Sequence, residues 1–193
     1  MSASGTNLEI EVKIPWADGP DTARRVIEGA GYALVEPRTL ESDTVFDRDG
    51  GELRRADQLL RLRRAGDRTL VTYKGPSRGA RYKIREEIEF DISGARAFEE
   101  VLNRLGYQPR FRYEKYRTKF AAPGEPGILS IDETPIGVFL ELEGETEWID
   151  RTAARIGLSP DAYLNRSYAS LYQEYLRTNS GAPPDMTFGR VAP

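Results

Sequence analysis

Histidine and cysteine are both absent from this chain of 193 residues. Their absence excludes a Ser-His-Asp triad, a cysteine nucleophile, a histidine general base and a zinc site built from His and Cys. A metal ion would have to be held by carboxylates, and oxygen ligands suit hard cations such as Mg²⁺, Mn²⁺ or Ca²⁺. A chain without cysteine also fits a reducing compartment.

A strong net charge and long apolar runs are absent as well. The 28 lysines and arginines nearly balance the 31 aspartates and glutamates, and the net charge of -3 offers no overall basic field to nucleic acid or an anionic membrane. No run of 18 apolar residues occurs, and the polar start, MSASGTN, does not resemble a signal peptide. We therefore expect a cytoplasmic protein with no membrane or nucleic-acid partner, in which any anion site is a local cluster.

The chain does contain many extended segments and a few helices. Alternating residues predict strands near 8–16, 32–47, 58–75 (a hairpin), 80–92, 108–121, 127–135 and 137–148. Apolar stripes at helical spacing predict helices near 18–32, 93–107, 149–158 and 159–177. We expect a single domain over residues 1–177 and a flexible tail over residues 178–193, which contain Gly181, Pro183 and Pro184.

The polar faces of these strands carry sorted charges. In LEIEVKIPW (8–16) every second side chain is apolar, and the side chains between them include Glu9, Glu11 and Lys13. One such strand is typical of a solvated surface. Across the chain, however, acids recur in three E-x-E pairs and bases in two R-x-R or K-x-R pairs. The charged residues on these faces are Glu9, Glu11, Glu87, Glu89, Asp132, Glu141 and Glu143, and Lys13, Arg61, Arg63, Lys74, Arg85, Lys115 and Arg117.

A closed barrel would explain this sorting. About eight strands can close around an interior just wide enough for side chains or one small ligand. Buried charges must be paired or must coordinate metals, so a lining of acids and bases fits a polyanion bound with divalent cations. We therefore predict an α+β fold, an antiparallel eight-stranded closed β-barrel with a charged tunnel, flanked by helices. The alternative is a structural domain with solvated charged faces.

The chain resembles the CYTH superfamily, or triphosphate tunnel metalloenzymes, which includes class IV adenylyl cyclases and thiamine triphosphatases. EIEVK (9–13) is similar to the E-x-E-x-K signature of that family. Further matching segments follow in order: DTVFD (43–47), LLRLRR (59–64), TYKGP (72–76), REEIE (85–89), YEKYRTKF (113–120), LSIDE (129–133), FLELEG (139–144) and NRSY (165–168). The resemblance covers roughly residues 7–176 and implies the tunnel barrel predicted from the alternation.

Site roles follow from the resemblance. It implies that the triphosphate is held by Lys13, Arg61, Arg63, Lys74, Arg85, Lys115 and Arg117. It implies that Mg²⁺ or Mn²⁺, two ions per site, are held by Glu9, Glu11, Asp132, Glu141 and Glu143, with Glu87 and Glu89 contributing. We expect Lys13, Glu11 and Glu141 to act in catalysis, and Arg166 and Tyr168 to have a structural role.

The expected function is cleavage of a phosphoanhydride in a small-molecule triphosphate by a monomer or homodimer. TYKGP, YEKYRTKF and NRSY are similar to the class IV cyclase branch, which converts ATP to cyclic AMP and pyrophosphate. In keeping both Glu141 and Glu143, the chain resembles the triphosphatases. A triphosphatase would hydrolyse tripolyphosphate, thiamine triphosphate or a nucleoside triphosphate. A third possibility is a non-catalytic module that binds a nucleotide or polyphosphate.

Overall fold

The computed structural model describes residues 7–189 as eight strands, five α-helices and one short 3-10 helix. The strands are β1 (Asn7–Trp16), β2 (Ala33–Asp47), β3 (Leu59–Ala65), β4 (Arg68–Lys74), β5 (Lys83–Asp91), β6 (Gln108–Ala121), β7 (Ile128–Thr134) and β8 (Gly137–Glu143). The helices are α1 (Pro20–Gly29), α2 (Glu52–Arg55), α3 (Ala95–Arg104), α4 (Thr146–Arg155) and α5 (Tyr168–Thr178), with the 3-10 turn at Pro160–Ala162. No helix in the described range is long and apolar enough to cross a membrane.

The strands close into a barrel in the order β1-β5-β4-β3-β2-β6-β7-β8, and every pairing is antiparallel. This confirms the predicted α+β fold with its closed eight-stranded barrel. Because successive side chains of a strand point to opposite faces, the charged set turns inward and the apolar set turns outward. The apolar residues therefore lie beneath the helices.

Two helices cover the outer face of β1, β7 and β8. Ile27 of α1 and Ile149 of α4 are both fully buried in the same cluster as Leu140 of β8. Trp148 of α4 packs so closely that a Cβ built on Gly127 would lie 2.3 Å from its ring. This large apolar contact fixes the part of the barrel that carries β1.

The last helix begins later than predicted. Helix α5 starts at Tyr168, whereas the apolar spacing predicted a helix from residue 159. The segment before it is extended because Leu164 exchanges backbone hydrogen bonds with Lys13 of β1, at 2.7 and 3.3 Å. The Ser167 side chain then caps α5 by accepting from the Ser170 amide at 3.1 Å.

The segment after α5 is packed onto the barrel, which differs from the flexible tail predicted there. Met186 is fully buried in a cluster with Tyr113 and Phe139. Its amide donates to the Arg112 carbonyl at 3.0 Å, and its carbonyl accepts from the Glu114 amide at 2.8 Å. The segment extends the edge of β6 because this portion of β6 has no hydrogen-bonded partner in β7. Residues 190–193 of the predicted tail lie outside the described residues.

Candidate functional site

The barrel encloses a cavity of about 540 Å³, and most of the residues that line it are charged. Cross-strand register places opposite charges together: Glu9 faces Arg85, Lys13 faces Glu141, and Asp43 faces Arg63. Nine basic and six acidic residues line the cavity, namely Lys13, Arg61, Arg63, Lys74, Lys83, Arg85, Lys115, Arg117 and Lys119, with Glu9, Glu11, Glu87, Glu89, Glu141 and Glu143. Bases outnumber acids on the wall itself, which suits an anionic ligand, while the buried acids Glu41, Asp43 and Asp132 behind the wall pair with several of these bases.

Lys13 is the centre of one buried cluster. Its Nζ lies 2.9 Å from Glu11 Oε1 and 2.9 Å from Glu141 Oε2. Lys83 Nζ reaches the same Glu11 oxygen at 2.8 Å. Burial alone would raise the pKa of Glu11 and of Glu141, but the neighbouring lysines and Arg117 outweigh it and hold both pKa values well below the usual range. Both carboxyl groups are therefore ionised at neutral pH.

Asp132 is the centre of a second cluster, behind the cavity wall. Its carboxylate accepts from Arg117 Nε and Nη2, both at 2.6 Å, from Lys115 Nζ at 2.8 Å and from the Tyr168 hydroxyl at 2.6 Å. Asp132 is 0% exposed and does not line the cavity. Asp132, which was predicted to be a metal ligand, thus holds two cavity-lining bases, and Tyr168, which also lines the cavity, donates to it.

Two acids of β2 complete the network and were missing from the predicted set. Asp43 accepts from Arg63 Nε at 2.8 Å and Nη2 at 3.1 Å, while Glu41 Oε2 lies 3.0 Å from Arg63 Nη1 and 3.4 Å from Lys115 Nζ. Burial raises the pKa of Glu41, but Lys115, Arg117 and Arg63 lower it to about 2. The E-x-D spacing at 41–43 carried the same signal as the E-x-E pairs.

A third group of acids, which we call the rim glutamates, consists of Glu9, Glu87 and Glu143. Lys74 Nζ contacts Glu9 at 2.5 and 2.6 Å and Glu87 at 3.4 Å. Burial and the charges of Glu9 and Glu89 raise the pKa of Glu87 to about 7, against the attraction of Lys74. Glu143 is exposed to solvent, yet enclosure by the wall and the charges of Glu9 and Glu141 raise the pKa of its carboxyl as well. Glu87 and Glu143 are therefore short of positive charge, whereas Glu9 is paired with Lys74.

Two arginines of the wall each have a buried N–H donor without an acceptor. Within residues 7–189, Arg61 Nε and Arg85 Nε have no hydrogen-bond partner. Arg61 Nη2 donates to Thr72 Oγ1 at 2.9 Å and to Glu89 Oε2 at 3.2 Å, and its Nε stays 3.6 Å from Asp43. A buried donor without a partner is costly, and an anion oxygen would satisfy it.

The acids do not form a ready-made metal site as placed. Among the described residues no three acidic side chains converge closely enough to hold a cation. Glu9 and Glu11 are instead held by Lys74, Lys13 and Lys83. The donor chemistry nevertheless fits a hard divalent cation, because the rim glutamates offer oxygen ligands, and the raised pKa values of Glu87 and Glu143 show that these two carboxyl groups lack neighbouring positive charge.

Most of the predicted site is brought together by the barrel. All predicted phosphate-binding bases line the cavity, and so do all predicted acids except Asp132. Lys83 and Tyr113 line it too, although neither was given a role among the predicted site residues. Lys83 shares the charged face of β5, and burial and the charge of Lys13 lower its pKa despite the contact with Glu11. Tyr113 carried no charge to mark it.

These features define a tunnel-barrel protein with a charged interior. The family model described as the CYTH domain matches residues 7–168, and the chain therefore belongs to the CYTH family. A Methanocaldococcus jannaschii protein named "Putative adenylate cyclase" is 26% identical over 175 residues, which cover 85% of this chain and 98% of that protein.

Solved structures share the fold at lower identity. A Vibrio parahaemolyticus protein described as "a putative adenylate cyclase" superposes with a TM-score of 0.76 at 19% identity, covering 88% of this chain and 99% of that one. A Hippeastrum protein described as a "putative adenylyl cyclase" with "a dominant triphophatase activity" has a TM-score of 0.55 at 16% identity, covering 91% of each chain. At these identities the likeness shows the fold alone.

Proposed function

We propose that the protein binds a triphosphate in its tunnel and cleaves a phosphoanhydride bond. The observation that carries this proposal is the pair of buried, unpartnered guanidinium donors, Arg61 Nε and Arg85 Nε, in a cavity wall with more bases than acids. A triphosphate offers many acceptor oxygens along a chain, and arginine forks match phosphoryl groups well. The match to the CYTH domain and the adenylate cyclase name of the archaeal relative support the same reading.

Within this proposal the bases of the wall neutralise and orient the phosphoryl groups for in-line attack. Lys13 is the central contact, held from both sides by Glu11 and Glu141. Because the pKa values of Glu11 and Glu141 are well below the usual range, these carboxylates are weak proton acceptors. Their proposed contribution to catalysis is therefore to position Lys13 and to supply cation ligands.

Mg²⁺ or Mn²⁺ is the proposed cofactor, with two ions per site. The rim glutamates would hold it, together with Glu11, Glu89 and Glu141. Such an ion would neutralise phosphoryl charge and acidify the attacking water or hydroxyl. Asp132 is a poor candidate ligand, because its four contacts with Lys115, Arg117 and Tyr168 already use its carboxylate oxygens.

The first candidate reaction is that of a class IV adenylyl cyclase, in which the ribose 3′-oxygen of ATP attacks the α-phosphorus and pyrophosphate leaves. The second is hydrolysis, in which water attacks a terminal phosphorus and orthophosphate leaves. In either reaction Leu8, Leu59, Tyr113 and Tyr168 are the apolar and aromatic side chains of the wall against which a base or other organic group would pack. The triphosphatase activity described for the Hippeastrum fold relative is the reason to test hydrolysis beside cyclisation.

The test is ³¹P NMR of the purified protein with ATP, tripolyphosphate and thiamine triphosphate, each with Mg²⁺ or Mn²⁺. Cyclic AMP with pyrophosphate identifies the cyclase, and orthophosphate identifies the hydrolase. Tight binding of a triphosphate without any product would instead identify a binding module. If the protein neither binds nor cleaves any of these triphosphates, the proposal is refuted.

Adjacent arginines provide a matched control for this assay. Arg63 faces the cavity and contacts Asp43, whereas Arg64, the next residue of β3, faces outward and pairs with Glu99. We expect Arg63→Ala to weaken binding and turnover at least tenfold, from the loss of charged hydrogen bonds worth about 1.5–3 kcal/mol each. Arg64→Ala should leave both unchanged.

A further inference from the structure

Asp57 has an unusual backbone conformation at the end of α2. Its φ is +52°, and it is the one non-glycine residue in the described part of the chain with a positive φ. The local hydrogen bonds are those of a helix end, since the Asp57 amide donates to the Arg54 carbonyl at 3.1 Å and the Gln58 amide to the Leu53 carbonyl at 2.8 Å. Glycine is the residue that such a position favours. The chain has a carboxylate there instead.

That carboxylate connects three segments of the chain. Asp57 Oδ1 accepts from Arg85 Nη2 at 3.2 Å, and the Asp57 carbonyl accepts from the same nitrogen at 3.1 Å. Asp57 Oδ2 accepts from the Ser77 amide at 2.7 Å, in the loop between β4 and β5. Among residues 7–189, Asp57 is the one carboxylate within ion-pair distance of Arg85.

The two partners differ greatly in exposure. The Arg85 side chain is 5% exposed and lines the cavity, whereas the Asp57 side chain is 61% exposed. An ion pair with such an exposed partner adds little to stability, and the left-handed backbone has a cost of its own. The stability gained from this ion pair therefore does not explain why aspartate occupies this position.

We propose that Asp57 is a positioning residue for ligand binding. It anchors one end of the Arg85 guanidinium through Nη2, so that the unpartnered Nε–H is held in place for a phosphoryl oxygen. By accepting from Ser77 it also ties the β4–β5 loop to the same point. The inference rests on the proposed function, because it assumes that the ligand presents phosphoryl oxygens to Arg85.

The experiment is a double-mutant cycle between Asp57 and Arg85, in which the affinity of each variant for tripolyphosphate is measured. Titration calorimetry is done with Ca²⁺ present, and ³¹P NMR of the recovered sample checks that the ligand is intact. Arg85→Ala should weaken binding roughly 10- to 100-fold through the lost charged hydrogen bond. Asp57→Gly keeps the left-handed backbone and removes the carboxylate, and we expect roughly 3- to 10-fold weaker binding.

Two further variants separate positioning from folding. Asp57→Asn tolerates the same backbone and keeps an acceptor for Arg85, so its affinity should return toward that of the parent protein. In the Arg85→Ala background, Asp57→Gly should have no further effect, because the residue that it positions is gone. Thermal melts of all variants should show Asp57→Gly to be at least as stable as the parent.

The outcomes distinguish the two proposals. If the parent protein does not bind tripolyphosphate, or if Arg85→Ala binds it equally well, the proposal that Arg85 binds a triphosphate in the tunnel is refuted. If Arg85→Ala weakens binding but Asp57→Gly does not, the positioning role of Asp57 is refuted. Equal losses from Asp57→Gly with and without Arg85 would refute it as well.

Discussion

Neutralising Asp132 tests whether the buried charge network holds the barrel together. The change Asp132→Asn removes the negative charge while keeping the size of the side chain. It leaves Lys115 and Arg117 in a buried site without the carboxylate that they contact at 2.6–2.8 Å. Removing one partner of a buried ion pair typically costs about 3–5 kcal/mol. We expect a loss in this range because two buried bases lose a carboxylate at once, although Glu141 stays 2.7 Å from Arg117 and Glu41 stays 3.4 Å from Lys115.

The structure offers a matched control on the outer surface. Asp91 also binds an arginine through both carboxylate oxygens, accepting from Arg68 Nε and Nη2 at 3.0 Å each. Both residues of this pair are exposed, and such surface pairs contribute little to stability. Asp91→Asn should therefore leave the free energy of unfolding nearly unchanged, although the chemistry of the two pairs is the same.

Urea unfolding, followed by the fluorescence of Trp16 and of the buried Trp148, measures the free energy of unfolding of both variants. For a chain of this size, a loss of about 3–5 kcal/mol corresponds to a fall in Tm of roughly 6–20 °C. If Asp132→Asn and Asp91→Asn lower the free energy of unfolding equally, burial does not explain the contribution of the Asp132 contacts to stability.

The pH dependence adds a second check. Burial raises the pKa of Asp132, but Arg117 and Lys115 outweigh it and lower the pKa below the ordinary value of 3.8. A lowered pKa in the folded state contributes stability above pH 3.8 that is lost as the pH falls through the folded value. The difference between Asp132→Asn and the parent should therefore shrink below about pH 4.

Three further predictions follow from the packing and the rim glutamates. The pKa of Glu87 is raised from 4.5 to about 7, so its ionisation makes the folded state lose stability as the pH rises between these values. In EDTA at pH 8, Glu87→Gln should therefore stabilise the protein by about 1–3 kcal/mol. The control Glu86→Gln, on the outer face, should not stabilise it. Gly127→Ala should destabilise by about 1–3 kcal/mol in urea unfolding, since the new Cβ would meet the Trp148 ring at 2.3 Å. Met186→Ala should lower stability by about 2–5 kcal/mol by thermal melting, and no loss would show that the segment after α5 does not pack as described.

The inward and outward faces of the strands were predictable from local alternation. Side chains of a strand alternate with a period of two, so Glu9, Glu11 and Lys13 had to share a face whatever the strand packed against. The same alternation along residues 81–91 would also put Arg81 and Asp91 on the inner face. The structure leaves both exposed, because Arg81 precedes β5 and Asp91 is its last residue.

Pairing between distant segments was not predictable in the same way. Met186 lies in a region rich in glycine and proline, yet it is buried because β6 has an unpaired edge beyond β7. Arg85 and Asp57 are 28 residues apart, and they meet only where the end of α2 approaches β5. No local pattern records such an encounter.

Composition and local alternation were enough to predict the eight strands, the charges on their polar faces and the chemistries that a chain without histidine or cysteine cannot perform. Which of those charges find a partner depends on how distant strands pair. Asp132 is enclosed by three donor residues, whereas Glu143 on β8 remains exposed at the rim. The physical reason is that the energy of a charge depends on its burial and on its neighbours, and both are set by strand register and barrel closure.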